Sequence, residues 1–136
     1  MDVVQLIQMH FQTIKADPKA WFNLYSHDAI LEMPYAPHPF PTTINGIDAI
    51  VAAVAEHISS LGDDFYAEVK KVYPVKDEDA AFVEFTMGGT VKLTGKKYEQ
   101  DYISYFRAED SKIVLYREYF DSARIAAAFT PGNQVV

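Results

Sequence analysis

A chain of 136 residues can build one domain around a single core, and its 49% apolar content with nine Tyr and nine Phe favours bulky packing or an aromatic-lined cavity. Nineteen acidic against twelve basic residues give a net charge of −7 with no basic stripe, which argues against nucleic-acid binding. The lack of cysteine rules out disulfides and thiolate catalysis; with no signal-like N-terminus and no span for a membrane, the expectation is a soluble, cytoplasmic protein.

Val3, Leu6, Ile7, His10 and Ile14 recur at helical spacing behind Asp2, an N-cap residue, and predict the first helix. Asp17-Pro18 places a cap before proline at the first helical position, so a short helix with Trp21, Phe22, Leu24 and Tyr25 should follow. AILEMPY, residues 29–35, reads as a strand. It runs into Pro34, Pro37, Pro39 and Pro41, each of which fixes its own φ and removes a backbone donor. No regular element can contain that segment, so it is expected to be a stiff, extended loop carrying Tyr35, His38 and Phe40. Asn45-Gly46 then opens a helix whose apolar stripe runs through Ile50, Ala53, Val54, His57, Ile58 and Leu61, with Gly62 expected as its C′ residue.

From Phe65 the period changes to two. FYAEVKKVYPVK, AAFVEFTMGGTVKL, KKYEQDYISYFRA and KIVLYREYF read as four strands divided by the turn segments KDED, TGKK and AEDS. Gly88-Gly89 marks a bulge or sharp bend. Asp121 caps a last helix, SARIAAAF, and residues 130–136 form a loose tail. Helices followed by a meander predict a single α+β domain over residues 1–136, a cone-shaped curved antiparallel sheet wrapped around N-terminal helices. The proline loop would cross the mouth of the cone.

The element order, with YSHDAILEMPYAP and KIVLYREYFD, resembles the nuclear transport factor 2-like superfamily, which includes ketosteroid isomerase and the SnoaL-like proteins. A narrower resemblance is to the phenazine-biosynthesis A/B-like proteins. Their final hairpin shares the pattern Tyr98, Tyr102-Ile103, Phe106-Arg107, Glu109, Ile113 and Arg117-Glu118-Tyr119. A shared fold of this kind implies a cone rather than a reaction.

Alternation puts Tyr116, Glu118 and Phe120 on one strand face and Arg117, Tyr119 and Asp121 on the other, without deciding which is inward. The resemblance decides it: limonene epoxide hydrolase and the phenazine proteins place a catalytic acid at the position of Glu118. A carboxyl in an aromatic pocket loses hydration, so its pKa rises towards a useful value for general acid catalysis; the bland alternative is a surface glutamate paired with Arg117. His57 is the second catalytic candidate, because the phenazine proteins use a histidine from this helix, although theirs matches Ala53, one turn earlier. A lone histidine on an apolar stripe is also a common core residue.

Gapless alignment on DAILEMP puts His10 at the oxyanion-hole tyrosine of ketosteroid isomerase and Met33 at its catalytic base; aligning YFR separately puts Ser104 at its oxyanion-hole aspartic acid. Methionine cannot abstract a proton, so steroid-type isomerisation is not expected. Tyr98, Gln100, Tyr102 and Ser104 share a face and, with His10, Met33, Tyr35 (at the rim) and Tyr116, make up the expected substrate-binding set. The Arg-X-Asp that epoxide hydrolysis needs is missing from AAFVEFTMGG, and the four histidines show no metal-ligand spacing. The expected function is therefore a cofactor-free acid–base enzyme of isomerase, dehydratase or condensation type on a small hydrophobic or aromatic metabolite. A non-catalytic ligand-binding protein and a dimeric interaction domain are the alternatives. A small-molecule ligand and a homodimer through the outer sheet face are the expected partners, with no metal, nucleic acid or membrane.

Overall fold

A computed structural model describes residues 1–132. The N-terminal helix α1 (Val3–Thr13) starts where the sequence places it: the Asp2 carboxylate accepts from the Gln5 backbone N–H, and the Gln5 side chain accepts from the Asp2 backbone N–H. Asp17 likewise caps α2 (Pro18–Phe22), with proline at the position where a missing N–H costs nothing.

Strand β1 spans Tyr25–Glu32, earlier at both ends than the predicted run, because Leu24 and Tyr25 already pair with Ile113 of the last strand. The proline segment follows, with a cis peptide between His38 and Pro39. A short strand β2 (Thr43–Asn45), absent from the sequence reading, returns antiparallel to β1. Gly46 at φ +89° then turns the chain into α3 (Ile47–Ser59), a conformation a side chain would strain. Gly62 is not the left-handed C′ residue expected of it. The helix caps at Ser60, Leu61 bridges Val91, and the Gly62 N–H donates to the Thr90 carbonyl.

Four long strands complete the sheet: β3 (Tyr66–Pro74), β4 (Ala80–Thr90), β5 (Lys97–Glu109) and β6 (Lys112–Phe120). Asp121 caps α4 (Ser122–Phe129) by accepting from the Ala123 N–H. The last four residues of the expected tail, 133–136, lie outside the described residues. Strand order is β2-β1-β6-β5-β4-β3. All pairs are antiparallel except β1 with β6, where Leu31 meets Tyr116 and Glu32 meets Arg117 in parallel register. A parallel pair needs a long connection, and the chain from β2 onward supplies it; the meander expectation holds only for β3–β6.

No bulge occurs at Gly88-Gly89, where β4 and β5 stay in register through Gly88–Glu99 and Gly89–Tyr98. The glycines answer a different need, close backbone approach: a Cβ on Gly88 would lie 2.2 Å from the Tyr98 carbonyl oxygen. Register shifts fall instead between Tyr25 and Ile30, between Val69 and Lys71, and between Arg107 and Ala108.

Period-2 alternation sorts the sheet cleanly. Val83, Phe85, Met87, Tyr102, Phe106 and Tyr116 are buried on the concave face against Val3, Leu6 and Ile7 of α1 and Ile47 and Ile50 of α3, while Tyr98 packs with Leu61, Val91, and Ile125 and Ala128 of α4. Phe82, Ile103, Tyr105 and Tyr119 stand on the convex face, where Ile103 is 47% exposed. The fold is thus the expected α+β cone, with its helices on the concave side of one curved sheet.

Candidate active site

Between the concave face, α3, α4 and the proline loop lies a cavity of about 460 Å³. That volume is in the ordinary range for a small-molecule site. The sheet contributes Leu31, Met87, Tyr98, Tyr102, Tyr116, Glu118 and Phe120, α3 contributes Ala53, Val54, His57 and Ile58, and α4 contributes Ile125 and Phe129. Ala36, Pro39, Phe40 and Pro41 of the proline segment close another side, with the Phe40 ring edge-on to Phe129 at 6.2 Å. The inner stripe of α3 is only half-buried, because it faces this space instead of packing on the sheet.

Glu118 is on the inward face of β6, 9% exposed, and accepts a hydrogen bond from the Tyr116 phenol two residues earlier. Loss of hydration raises its carboxyl pKa to about 7, although the Tyr116 bond acts to lower it. Its field in turn helps push up Tyr25, Tyr102 and Tyr116, which burial already raises well above the usual phenol value. Further along, the Tyr98 and Tyr102 hydroxyls bond each other at 2.9 Å. One carboxyl poised near neutrality thus sits among phenols that stay protonated. Arg117, the surface partner weighed for Glu118, points the other way and binds Glu32 at 2.7 Å.

His57 lines the same cavity from α3, stacked on Phe129 and edge-on to Tyr98. Burial lowers its pKa, so it is neutral at pH 7 and offers a hydrogen-bond acceptor. Met33 and the phenols of Tyr98, Tyr102 and Tyr116 also line the space.

Four of the expected binding residues do not. His10 is fully buried behind the wall: its Nδ1 accepts from the Trp21 indole N–H at 3.0 Å and the Tyr25 hydroxyl at 2.8 Å. Two donors on Nδ1 put the proton on Nε2, and desolvation lowers the pKa to about 3, so the ring remains neutral. Gln100 is spent on structure. Its amide donates to the Asp121 carbonyl and accepts from the Asp121 N–H, tying the β6–α4 junction to β5. Ser104 opposes Glu118 across β5–β6 but is wholly covered. Its Oγ and the His10 Nε2 are buried without a hydrogen-bond partner among the described residues. Tyr35 lies outside the cone, 61% exposed against Tyr119 on the convex side, because the chain turns outward at Pro34. There it borders a hollow of about 510 Å³ with Lys70, Asp101 and Ile103, which does not include Glu118.

The sequence reading missed Phe129, Phe65, Ile44 and Met87 as wall residues, and Trp21 and Tyr25 as the partners of His10. The i, i+4 spacing of Ile125 and Phe129 signals an apolar face on α4, but not what it covers. Glu84, the one acid on β4, faces outward and accepts from the Tyr73 hydroxyl, so that strand brings no acid to the cavity. No group of three or more potential metal-ligating side chains occurs among the described residues, and none of their helices is long and apolar enough to cross a membrane.

A curved sheet wrapped on helices in this way is the nuclear transport factor 2-like, ketosteroid isomerase-like architecture. Within it, the chain belongs to the SnoaL-like domain family, whose family model matches residues 7–116. It is 33% identical over 111 residues to the PhzA/B-like protein PA3332 of Pseudomonas aeruginosa, covering 79% of this chain and 75% of that one. A crystal structure of a Bacillus subtilis protein, described provisionally as an isomerase, superposes with a TM-score of 0.83 at 29% identity over 93% of this chain and 91% of that one. An epoxide hydrolase of Mycobacterium tuberculosis, similar to limonene epoxide hydrolase, shares the fold at a TM-score of 0.69 and 15% identity, over 93% and 87% of the two chains. The fold is thus shared by a provisionally described isomerase and an epoxide hydrolase.

Proposed function

We propose that this protein is a cofactor-independent acid–base enzyme acting on a small hydrophobic or aromatic metabolite, with Glu118 as its proton donor and shuttle. The observation that carries the reading is the Glu118 carboxyl itself, buried on the cavity wall with its pKa raised to about 7. A group half-ionised at the working pH gives and takes protons with the least penalty in either direction. Neutral His57 across the cavity is the second proton-handling group, and the phenols of Tyr98, Tyr102 and Tyr116 orient a polar substituent within apolar walls. Isomerisation, dehydration and condensation each use a proton donor or shuttle of this kind. The similarity to a PhzA/B-like protein and to a provisional isomerase supports this group of reactions.

The test is a carbon-detected titration of the glutamate carboxyls, followed by turnover assays of Glu118→Gln on any substrate found by screening. Titration of Glu118 near 7 and loss of turnover with binding retained support the enzyme. Retained binding with no turnover in either form would instead indicate a ligand carrier of the same fold.

A further inference from the structure

We propose that the ligand of this cavity carries a basic nitrogen: the site is built for a small lipophilic amine, with Glu118 as its counter-ion. This rests on the reading of the cavity as a small-molecule site served by Glu118, and it names the ligand class.

The charge inventory of the cavity is one-sided. Among the residues lining it, only Glu118 in its depth and Glu56 at its exposed rim carry formal charge, and no lysine or arginine is present. The remaining groups that face Glu118 are uncharged at neutral pH. They are Tyr116 on its own strand, Tyr98 and Tyr102 on β5 with the Ser104 hydroxyl opposite, His57 on α3, and Tyr25 and His10 behind the wall. The nearby arginines are committed elsewhere: Arg124 to Asp101 at 3.0 Å and Asp121 at 3.7 Å, Arg117 to Glu32. An anionic ligand would therefore meet a carboxyl in low dielectric with nothing to neutralise either charge. Outside the lining, the Lys15 ammonium already covers the Phe65 ring at 5.5 Å; a cationic ligand meets a counter-ion and the rings of Phe40, Phe120, Phe129 and the tyrosines, whose faces attract cations.

Glu118 also has capacity left. The Tyr116 phenol occupies Oε2, while Oε1 has no hydrogen-bond partner among the described residues. Oε1 is open to the cavity, where an ammonium N–H would make a charge-assisted bond stronger than the one a neutral hydroxyl could make. The step is a simple proton transfer. If Glu118 is protonated, its O–H bond breaks, the nitrogen lone pair takes the proton, and carboxylate faces ammonium. An ammonium entering against the carboxylate reaches the same pair without transfer.

The test measures binding of 2-phenylethylamine, 2-phenylethanol and 3-phenylpropionate through the methyl resonances of Met33 and Met87, which line the cavity. The amine should bind at least ten-fold more tightly than the alcohol at pH 8, with the carboxylate weakest. Its affinity should rise about ten-fold from pH 6 to pH 8 as Glu118 ionises around 7. In Glu118→Gln the amine preference over the alcohol and its pH dependence should vanish. Equal binding of alcohol or carboxylate, no pH dependence in the wild type, or an amine preference that survives in Glu118→Gln would overturn the proposal and leave the pocket reading standing. No methyl response to any of the three would overturn both.

Discussion

Replacing Glu118 by Gln should reveal what burying that carboxyl costs. The folded protein holds the Glu118 proton until about pH 7, against an ordinary value of 4.5. Between those values the folded state binds one proton more than the unfolded chain, so stability falls as pH rises through the window and levels off above it. At about 1.4 kcal/mol per pKa unit, the gap sets an upper limit of about 3 kcal/mol. Gln has nearly the same shape, keeps a carbonyl oxygen for the Tyr116 hydroxyl, and has nothing to ionise. Two other buried groups pull the opposite way: His10 and His57 stay neutral below pH 6.5, where the unfolded chain protonates them, and so they weaken the fold in acid. The quantity to measure is therefore the difference between variant and wild type in urea denaturation, from pH 4.5 to pH 8, in which those contributions cancel. The variant should gain on the wild type progressively, by up to about 3 kcal/mol, and reach a plateau above pH 7. A difference that stays flat across the range would show that Glu118 is hydrated and ionises normally, and the argument for a poised acid would fall with it.

Tyr116→Phe removes the hydrogen bond that favours the ionised carboxylate, so the carbon-detected midpoint of Glu118 should move higher still; a fall would reverse the assigned role. His10 should show the Nε2–H tautomer by nitrogen chemical shift and no titration between pH 8 and pH 4, whereas a midpoint near 6.5 would contradict its sealed environment. Gly88→Ala should destabilise by about 2 kcal/mol or more in thermal or urea unfolding, since its methyl would collide with a backbone carbonyl that pairing holds in place; a neutral variant would refute the close approach. The exposed convex-face side chains of Tyr73, Phe82 and Ile103 support a homodimer through that face, so sedimentation at micromolar concentration should give twice 15.4 kDa, and a monomer alone would rule it out.

The elements were legible because each carries a local signal that tertiary packing does not contradict: Asp2, Asp17 and Asp121 cap the helices they precede, and period-2 patterning marks β3 to β6. What failed was non-local. Three residues of β2 carry no period, and the parallel docking of β1 on β6 depends on partners more than eighty positions apart. The site divided along the same line. Alternation placed Glu118 and Tyr116 together on one face, and the family resemblance identified that face as inward. Gln100 and Ser104 share an inward face with Tyr98 and Tyr102, but facing inward is not the same as reaching the cavity: Gln100 meets the Asp121 backbone and Ser104 is covered. His10 was legible as buried, while its partners Trp21 and Tyr25 belong to other elements that only the fold brings to it. Tyr35 was misplaced because a proline-rich segment fixes local φ without fixing which way the chain leaves the strand.

Glu118 also bears on why the cavity exists at all. Its inward neighbours show what the same position does when only packing is served: Phe106 and Tyr116 stack at 4.4 Å and fill their space. Glutamine at 118 would keep the bond to Tyr116 without the ionisation penalty, and an apolar residue would avoid the desolvation altogether. Neither would hold a proton that can move near pH 7. Nor do the walls close over the carboxyl, although the half-buried face of α3 and Phe129 of α4 lie alongside it. A fold that leaves apolar surface unpacked around a destabilising acid gives up stability at two adjacent places. Ligand binding offsets both, since a lipophilic amine covers the wall and neutralises the charge in one event. Saturating 2-phenylethylamine should therefore stabilise the wild type more at pH 8 than at pH 6 in thermal unfolding, beyond any change seen with 2-phenylethanol. Equal stabilisation at both pH values would separate the unfilled walls from the buried acid and leave the two without a common cause.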